Sequence, residues 1–321
     1  MHLPPGGSVS CHPPRNRSAL PRLYTGNQDM RERLRVWTVM ATVAVAVGGV
    51  FARDPRADRG PAVAAAQTEA RPVVREHQGM RTAIDRTGWG GVMLVCEGST
   101  RACQAGHAER VDIGVQPAST FKIMNALMSV DLGTVAAADT VLKWDGVTRD
   151  RKETNRDLTL REAFQVSSLP HFQALARANG RARMQQYLDR VGYGNRMISA
   201  PIDAYWLGAG ALRITPREQV QLLERLYHND LPVAPRTMAV VKDIMLLEET
   251  PEYRLRAKTG YATPEGAPAV GWWVGWVERG SRVVYFATLL QPPAPDDAML
   301  TVRLSLTREM LRELGVLPAT R

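Results

Sequence analysis

Apolar residues follow two different periods along this chain, and the two periods occupy different regions. Residues 90–96 are an unbroken run of glycine and apolar residues, which predicts a buried strand with a partner at about residues 105–111. Residues 271–278 and 282–289 are two β-rich runs. The Arg-Gly-Ser segment at 279–281 separates them, so these runs predict a hairpin.

Helical periodicity dominates the region between these strands, from residue 119 to about residue 247. Its clearest segments are residues 160–164 and 220–227. Residues 301–314 predict an amphipathic helix that closes the chain. The expected fold is therefore α/β, with an antiparallel β-sheet flanked by helices and a helical insertion subdomain beside it.

The N-terminal region has the composition of a segment outside the folded domain. Residues 1–29 are rich in Pro, Gly, Ser and Asn and lack apolar periodicity, which predicts a disordered or upstream extension. Residues 30–52 read as a positively charged start, an uncharged apolar stretch and a small-residue end, the order typical of a secretory signal. The stretch is short for a membrane span, which needs roughly 20 residues, so a retained anchor is the second interpretation. Residues 53–71 would be a linker and residues 72–321 the folded domain, with Met30 an alternative start.

Charge distribution and residue spacing argue against two classes of function, nucleic-acid binding and metal binding. The chain has 321 residues, with 45% hydrophobic and 23% charged residues, as in an ordinary globular protein. Its formal net charge of +9 comes from arginines spread along the chain, without a basic run interleaved with aromatics, so no nucleic-acid partner is expected. The 6 histidines and 3 cysteines show no metal-ligand spacing, so no metal is expected.

Two of the cysteines flank a short polar segment. Cys96 and Cys103 stand on either side of residues 97–101, so a hairpin disulfide is feasible in an oxidising compartment. Two free thiols on neighbouring strands are the other interpretation. Cys11 lies upstream of the predicted signal and would be absent from a mature protein.

A serine and a lysine stand one helical turn apart at the start of the predicted central helix. Ser119 and Lys122 would lie side by side, which is how a weakly nucleophilic hydroxyl acquires a base. By itself, Ser119 is better interpreted as a helix N-cap, and the surrounding motifs are what favour a catalytic role. A Lys-Thr-Gly segment follows at residues 258–260, and this combination is typical of penicillin-recognising acyl-enzymes.

From about residue 88 to Pro318 the chain resembles the class D serine β-lactamases, or oxacillinases. The related class A pattern would require Ser-Asp-Asn where this chain has Ser-Ser-Leu at 167–169. The landmarks are Pro-Ala-Ser-Thr-Phe-Lys-Ile at 117–123, Lys-Trp-Asp-Gly at 143–146, Arg-Asp-Leu-Thr-Leu-Arg at 156–161, Gln-Val-Ser-Ser-Leu-Pro at 165–170, Tyr-Gly-Asn at 193–195, Lys-Thr-Gly-Tyr at 258–261, and the tryptophan-rich run at 271–278.

The resemblance implies a role for each polar residue of the site. Ser119 would be the nucleophile, and neutral Lys122 would react with carbon dioxide to give N6-carboxylysine, a carbamate that serves as general base. The indole N–H of Trp206 would hydrogen-bond that carbamate. Ser167 would relay a proton toward the leaving nitrogen, with Lys258 beside it.

The resemblance also implies how the substrate is bound. The backbone N–H groups of Ser119 and Tyr261 would form the oxyanion hole. Thr259 and Gly260 would line the substrate site, and Arg303 would bind the carboxylate of the β-lactam through its bidentate fork.

The surroundings of the lysine are predicted to be apolar. Phe121, Trp206, Leu207 and Leu169 are expected to form a wall that disfavours an ammonium ion and lowers the pKa of Lys122. Leu169 stands where the class D enzymes usually have a valine. A larger side chain there would either dry the pocket further or crowd the carbamate, and both interpretations remain open.

The chain is therefore expected to be an exported, periplasmic or secreted serine β-lactamase that opens small-molecule β-lactams. No cofactor is expected apart from carbon dioxide or bicarbonate for the lysine. A penicillin sensor that is acylated without turnover and a D,D-peptidase are the alternatives. Substrate range and oligomeric state do not follow from the sequence.

Overall fold

The computed structural model describes residues 73–199 and 201–319, which lie in one compact unit, Thr68–Arg321. The predicted extension, signal and linker at 1–71 lie outside the described residues. The strands are β1 (Val74–Glu76), β2 (Gly90–Glu97), β3 (Cys103–Gly106), β4 (Val141–Leu142), β5 (Leu158–Thr159), β6 (Leu246–Glu249), β7 (Arg254–Ala262), β8 (Val270–Arg279) and β9 (Arg282–Gln291). The helices are α1 (Gln78–Asp85), α2 (Phe121–Asp131), α3 (Leu160–Gln165), α4 (Leu169–Asn179), α5 (Arg181–Val191), α6 (Pro216–Tyr227), α7 (Pro235–Ile244) and α8 (Ala298–Glu313).

The main sheet has the strand order β1-β3-β2-β9-β8-β7-β6. Its neighbouring pairs are antiparallel, as expected, except that β1 and β3 run parallel at one edge. The central hairpin pairs Arg279 of β8 with Arg282 of β9, so the turn is Gly280-Ser281 and both predicted strands are confirmed. The sheet and its flanking helices thus agree with the predicted fold class.

Strand β8 shows why its sequence is apolar without alternation. Trp272 packs into one apolar cluster with α2 and α6, whereas Trp273 packs into another with α1 and α8. Successive side chains of a strand point to opposite faces, so both faces of this sheet are covered by helices. Two layers of helices therefore enclose the central strands.

The predicted partner strand at 105–111 is wrong at both ends. Strand β3 ends at Gly106, and His107 adopts a left-handed conformation (φ 62°) before a 3-10 turn at Ala108–Arg110. Gly106 packs directly against helix α1, where a Cβ atom would lie 2.5 Å from the backbone nitrogen of Arg81, so the strand ends where it reaches the helix. The chain must turn away where it meets the helix.

Cys96 and Cys103 lie opposite each other in the β2–β3 pair. Their sulfur atoms are bonded at 2.02 Å, so the structure contains the disulfide rather than two free thiols. The bond joins β2 to a strand near the edge of the sheet.

The region between residues 119 and 247 is mainly helical, as predicted, and is interrupted by the small β4–β5 pair. Helix α2 is its centre, because residues 121–130 are all buried. Among the described residues, no helix combines the length and apolarity that crossing a membrane requires.

Candidate active site

Ser119 lies in the middle of a 3-10 turn, Ala118–Thr120, that runs directly into α2. Sequence periodicity placed it at the first turn of the α-helix itself. The side chain of Thr120 donates to the carbonyl of Pro117 at 2.7 Å and accepts from Gln219 of α6 at 2.8 Å. These bonds hold the turn in place at the positive end of the α2 dipole, which favours negative charge at Ser119.

Lys122 is the immediate partner of Ser119. Its Nζ lies 2.8 Å from Ser119 Oγ, and the lysine is only 1% exposed. Burial, with a smaller contribution from the positive charge of Arg151, lowers the pKa of Lys122 to about 7. A substantial fraction of this amine is therefore neutral near pH 7 and can accept a proton.

Aromatic rings provide the dry surroundings of this amine. The ring centroid of Phe172 is 5.5 Å from Lys122 Nζ, and Phe121 stacks on Trp206 with centroids 5.0 Å apart. The sequence predicted Phe121 and Trp206 but missed Phe172, which lies one turn after Leu169 on α4. That spacing is the signal that could have identified it.

Leu169 was predicted to belong to the apolar wall around Lys122, but it is less buried than that role requires. It is the first residue of α4 and remains 36% exposed. Its side chain therefore faces solvent in part.

A second serine–lysine pair faces the first. Lys258 Nζ, on β7, donates to Ser167 Oγ at 2.9 Å and to the carbonyl of Thr259 at 3.1 Å. Ser167 lies between α3 and α4 in a left-handed conformation (φ 56°), which is uncommon outside glycine. The ring centroid of Phe164 lies 5.5 Å from Lys258 Nζ.

The pKa of Lys258 is held well below its usual range. The amine is 4% exposed, and desolvation is the largest cause. The positive charges of Lys122, Arg303 and Arg151 lower it further. Because the charge of Lys122 acts on Lys258, the structure brings both predicted pairs into one electrostatic neighbourhood.

Gly260 lets β7 approach the Ser119 turn. A Cβ atom at this position would lie 3.0 Å from the carbonyl oxygen of Pro117 and 3.1 Å from Thr120. Tyr261 follows it on the same strand. A larger residue would push the strand, and with it the backbone of Tyr261, away from the serine.

Two tryptophans fix the segment that precedes Ser119. The indole of Trp272 on β8 donates to the carbonyl of Gln116 at 2.8 Å, and the backbone N–H of Ala118 donates to the carbonyl of Trp206 at 3.2 Å. The tryptophan-rich strand thus helps to position the segment that leads to Ser119.

The indole N–H of Trp206 is buried and has no hydrogen-bond partner among the described residues. Buried indole N–H groups usually find an acceptor. Trp206 stacks on Phe121, the residue before Lys122, so this unpaired donor belongs to a ring packed against the start of α2.

Arg303 of α8 lies behind β7. It is 6% exposed, donates through Nη1 to the carbonyl of Gly260, and has a pKa lowered to about 10 by burial. Its Nε is buried without a partner in the described part of the chain. The arginine is thus packed against the Lys-Thr-Gly strand.

Comparison with known proteins agrees with this geometry. The family model of the penicillin binding protein transpeptidase domain matches residues 97–312. β-Lactamase OXA-5 of Pseudomonas aeruginosa is 41% identical over 229 residues, which are 71% of this chain and 85% of that protein. β-Lactamase OXA-48 of Klebsiella pneumoniae is 41% identical over 228 residues, which are 71% of this chain and 84% of that protein.

Solved structures give the same result. The class D β-lactamase YbXI from Nostoc matches with a TM-score of 0.70 and 37% identity, over 74% of this chain and 99% of that one. FUS-1 (OXA-85), a class D β-lactamase from Fusobacterium nucleatum subsp. polymorphum, matches with a TM-score of 0.72 and 34% identity, over 76% of this chain and all of that one.

A serine–lysine pair at the start of a buried helix, beside a Lys-Thr-Gly strand, defines a penicillin-recognising serine enzyme of the transpeptidase fold. Within that class, the chain belongs to the class D β-lactamases.

The depressed pKa of Lys122 predicts that this residue destabilises the fold. The unfolded chain keeps a proton on Lys122 up to the ordinary pKa of 10.5, whereas the folded chain releases it at about 7. The free energy of unfolding therefore falls as pH drops from about 10.5 to about 7. We expect Lys122→Met to raise it by up to about 4 kcal/mol at pH 7, since each unit between the ordinary pKa of 10.5 and the folded value of about 7 costs about 1.4 kcal/mol.

Urea denaturation in degassed buffer at pH 7 and pH 9.5 measures this effect, and the gain should be smaller at pH 9.5. Lys143→Met is the control, because Lys143 is 79% exposed in its pair with Asp157 and should change stability by less than about 0.5 kcal/mol. A Lys122→Met variant that is less stable than the wild type at pH 7 would contradict the assignment.

Proposed function

We propose that this protein hydrolyses β-lactam antibiotics through an ester on Ser119 and thereby confers resistance to them. The observation that carries the proposal is the 2.8 Å contact between Ser119 Oγ and the buried amine of Lys122. Membership of the class D family supports it. The substrate is a small molecule, and no nucleic-acid partner or metal is invoked.

Acylation begins at the first serine–lysine pair. In this proposal the carbamate on Lys122 accepts the proton of Ser119 as Oγ attacks the carbonyl carbon of the lactam ring. The oxygen that becomes negative is bound by the backbone N–H groups of Ser119 and Tyr261. Donors of this kind typically contribute about 2.7–4 kcal/mol each to the lowering of the barrier.

The second pair completes the opening of the ring. When the C–N bond breaks, the ring nitrogen takes a proton from Ser167, and Lys258 resupplies the serine hydroxyl across their 2.9 Å contact. The low pKa of Lys258 makes its ammonium form a good proton donor.

The lactam carboxylate binds along β7. Thr259 and Gly260 form this edge, and Arg303 supplies positive charge behind them through a guanidinium whose Nε has no partner within the described residues. Leu169, the partly exposed first residue of α4, would contact the substrate from this side.

Deacylation needs a base for the attacking water. We include carboxylation of Lys122 by carbon dioxide in the proposal, because a neutral buried amine and an unpartnered indole N–H on Trp206 fit a carbamate. The carbamate would supply a carboxylate oxygen as general base. Trp206 would donate one hydrogen bond that holds it in place.

The nucleophile can be tested directly. Ser119→Ala should reduce turnover of a chromogenic cephalosporin by several orders of magnitude, because the covalent route is lost. Intact-mass spectrometry with a slow substrate should show an adduct on the wild type and on the control Ser168→Ala. The Ser119→Ala variant should show none.

An adduct on Ser167 would contradict the assignment of the nucleophile. A single burst of acylation without turnover would instead identify a penicillin sensor. Cleavage of a D-Ala-D-Ala peptide in preference to lactams would identify a D,D-peptidase.

The carbamate predicts a dependence on dissolved carbon dioxide. Activity in degassed buffer near pH 5 should fall and recover with added bicarbonate, because protonation of Lys122 below its pKa of about 7 opposes carboxylation. Trp206→Phe should strengthen this dependence and slow deacylation about tenfold or more, since a hydrogen bond to a charged group is worth about 1.5–3 kcal/mol.

Trp276→Phe is the matched control, because Trp276 is equally buried but its indole donates to Glu278 at 2.8 Å. It should leave the bicarbonate dependence unchanged. If full turnover persists in degassed acid buffer and Trp206→Phe has no effect, Lys122 works as a free amine.

We also propose export from a bacterial cell to the periplasm or the medium. The charge and apolar order of residues 30–52 supports export, and so does the Cys96–Cys103 disulfide, which persists in oxidising compartments. The mature protein should be soluble and begin after Ala52 or near Ala66, as N-terminal sequencing would show. Retention in the membrane pellet after a carbonate wash would favour an anchor instead.

A further inference from the structure

Arg151 is an exposed cation that lies beside the part of the active-site wall containing Ser167. It belongs to the segment between β4 and β5, and its Nη2 donates to the carbonyl of Val166 at 2.6 Å. Val166 immediately precedes Ser167. The guanidinium therefore lies against the junction of α3 and α4, with 57% of the side chain exposed.

The positive charge of Arg151 reaches the catalytic amines. It is among the charges that lower the pKa of both Lys122 and Lys258. A guanidinium that acts on two buried amines lies near enough to act on a substrate that is bound between them.

Arg151 also has capacity for another anion. Its Nε and Nη2 donate to the carboxylate of Glu153 at 2.9 Å and 2.7 Å. The same Nη2 also donates to the carbonyl of Val166. In the described part of the chain, no hydrogen bond uses Nη1. The pair with Glu153 is exposed on both sides, and such pairs contribute about 0–1 kcal/mol, so a substrate carboxylate can join or replace Glu153.

The ring carboxylate of a β-lactam does not need this cation. In the proposed function it is bound along β7, where Arg303 donates to the carbonyl of Gly260. Arg151 lies on a different wall, formed by the α3–α4 junction. It is therefore positioned for a second anionic group on the same substrate.

We propose that Arg151 is a specificity-determining residue that favours β-lactams whose acylamino side chain carries a second negative charge. The inference rests on the proposed function. An arginine suits this role because its planar fork remains charged and can bind a carboxylate through two donors.

Three penicillins that differ only at the α-carbon of the side chain test the proposal: benzylpenicillin (no charge), carbenicillin (carboxylate) and ampicillin (ammonium). Arg151→Gln should lower kcat/KM for carbenicillin about fivefold relative to benzylpenicillin, mainly through KM, as expected for loss of one partly solvated charge-assisted contact. Relative kcat/KM for ampicillin should stay the same or rise. Any change in the basicity of Lys122 affects all three substrates and cancels in the ratios.

Arg156→Gln is the matched control. Arg156 lies in the same segment, is 56% exposed and pairs with one carboxylate, Glu162, at 3.0 Å. It is not among the charges that act on Lys122 or Lys258. Its substitution should leave the substrate ratios unchanged. Arg151→Glu should reverse the preference in favour of ampicillin, and added salt should weaken the wild-type preference.

Equal losses for all three penicillins in Arg151→Gln would overturn the inference and indicate a purely structural role through Val166. Unchanged ratios in both Arg151→Gln and Arg151→Glu would overturn it as well. Failure of the wild type to hydrolyse any of the three would overturn the proposed function, and the inference with it.

Discussion

The exclusion of water from two amines is the constraint on which this site depends. Lys122 and Lys258 are both almost fully buried, and each donates to a serine hydroxyl. Every unit by which burial lowers a lysine pKa costs about 1.4 kcal/mol of folding free energy at pH values below the shifted range. The fold therefore carries an unfavourable interior that holds each of the two amines beside a serine hydroxyl. The rings of Phe172 and Phe164 pack beside the amines and offer them no strong acceptor.

The parts of this pocket are distant in sequence, so tertiary contacts must bring them together in the correct relative positions. The close approach at Gly260 brings β7 to the turn that carries Ser119. On the opposite side, the side chain of Asn125 donates to the backbone carbonyl of Phe172 at 3.0 Å, which ties α2 to α4. That bond is buried, and a buried amide without its partner would cost about 1–3 kcal/mol. Helix α2 thus holds Lys122 near both strand β7 and helix α4.

Local spacing explains what could be predicted. Ser119 and Lys122 are three residues apart, so any helical turn brings them together, and the long apolar runs of β8 and β9 identify two central strands without tertiary information. The cation at Arg151 escaped prediction, because its proximity to the amines depends on how the β4–β5 segment packs, whereas Phe172 was missed although its spacing from Leu169 was a usable signal. The early end of β3 also escaped prediction, since it depends on where the strand reaches helix α1.

Backbone strain accompanies both serines. Ala118, just before Ser119, has φ 50°, and Ser167 has φ 56°. Left-handed conformations of non-glycine residues cost on the order of 1–3 kcal/mol each. Such conformations persist only where neighbours determine them. The Ala118 N–H is bound to the carbonyl of Trp206, and the Ser167 N–H to that of Phe164. Both partners carry aromatic rings of the lysine surroundings, so the residues that dry the amines also hold the serines in their strained positions. The contacts that hold the two serines in position are therefore made by the same residues that help to lower the pKa values of the two lysines.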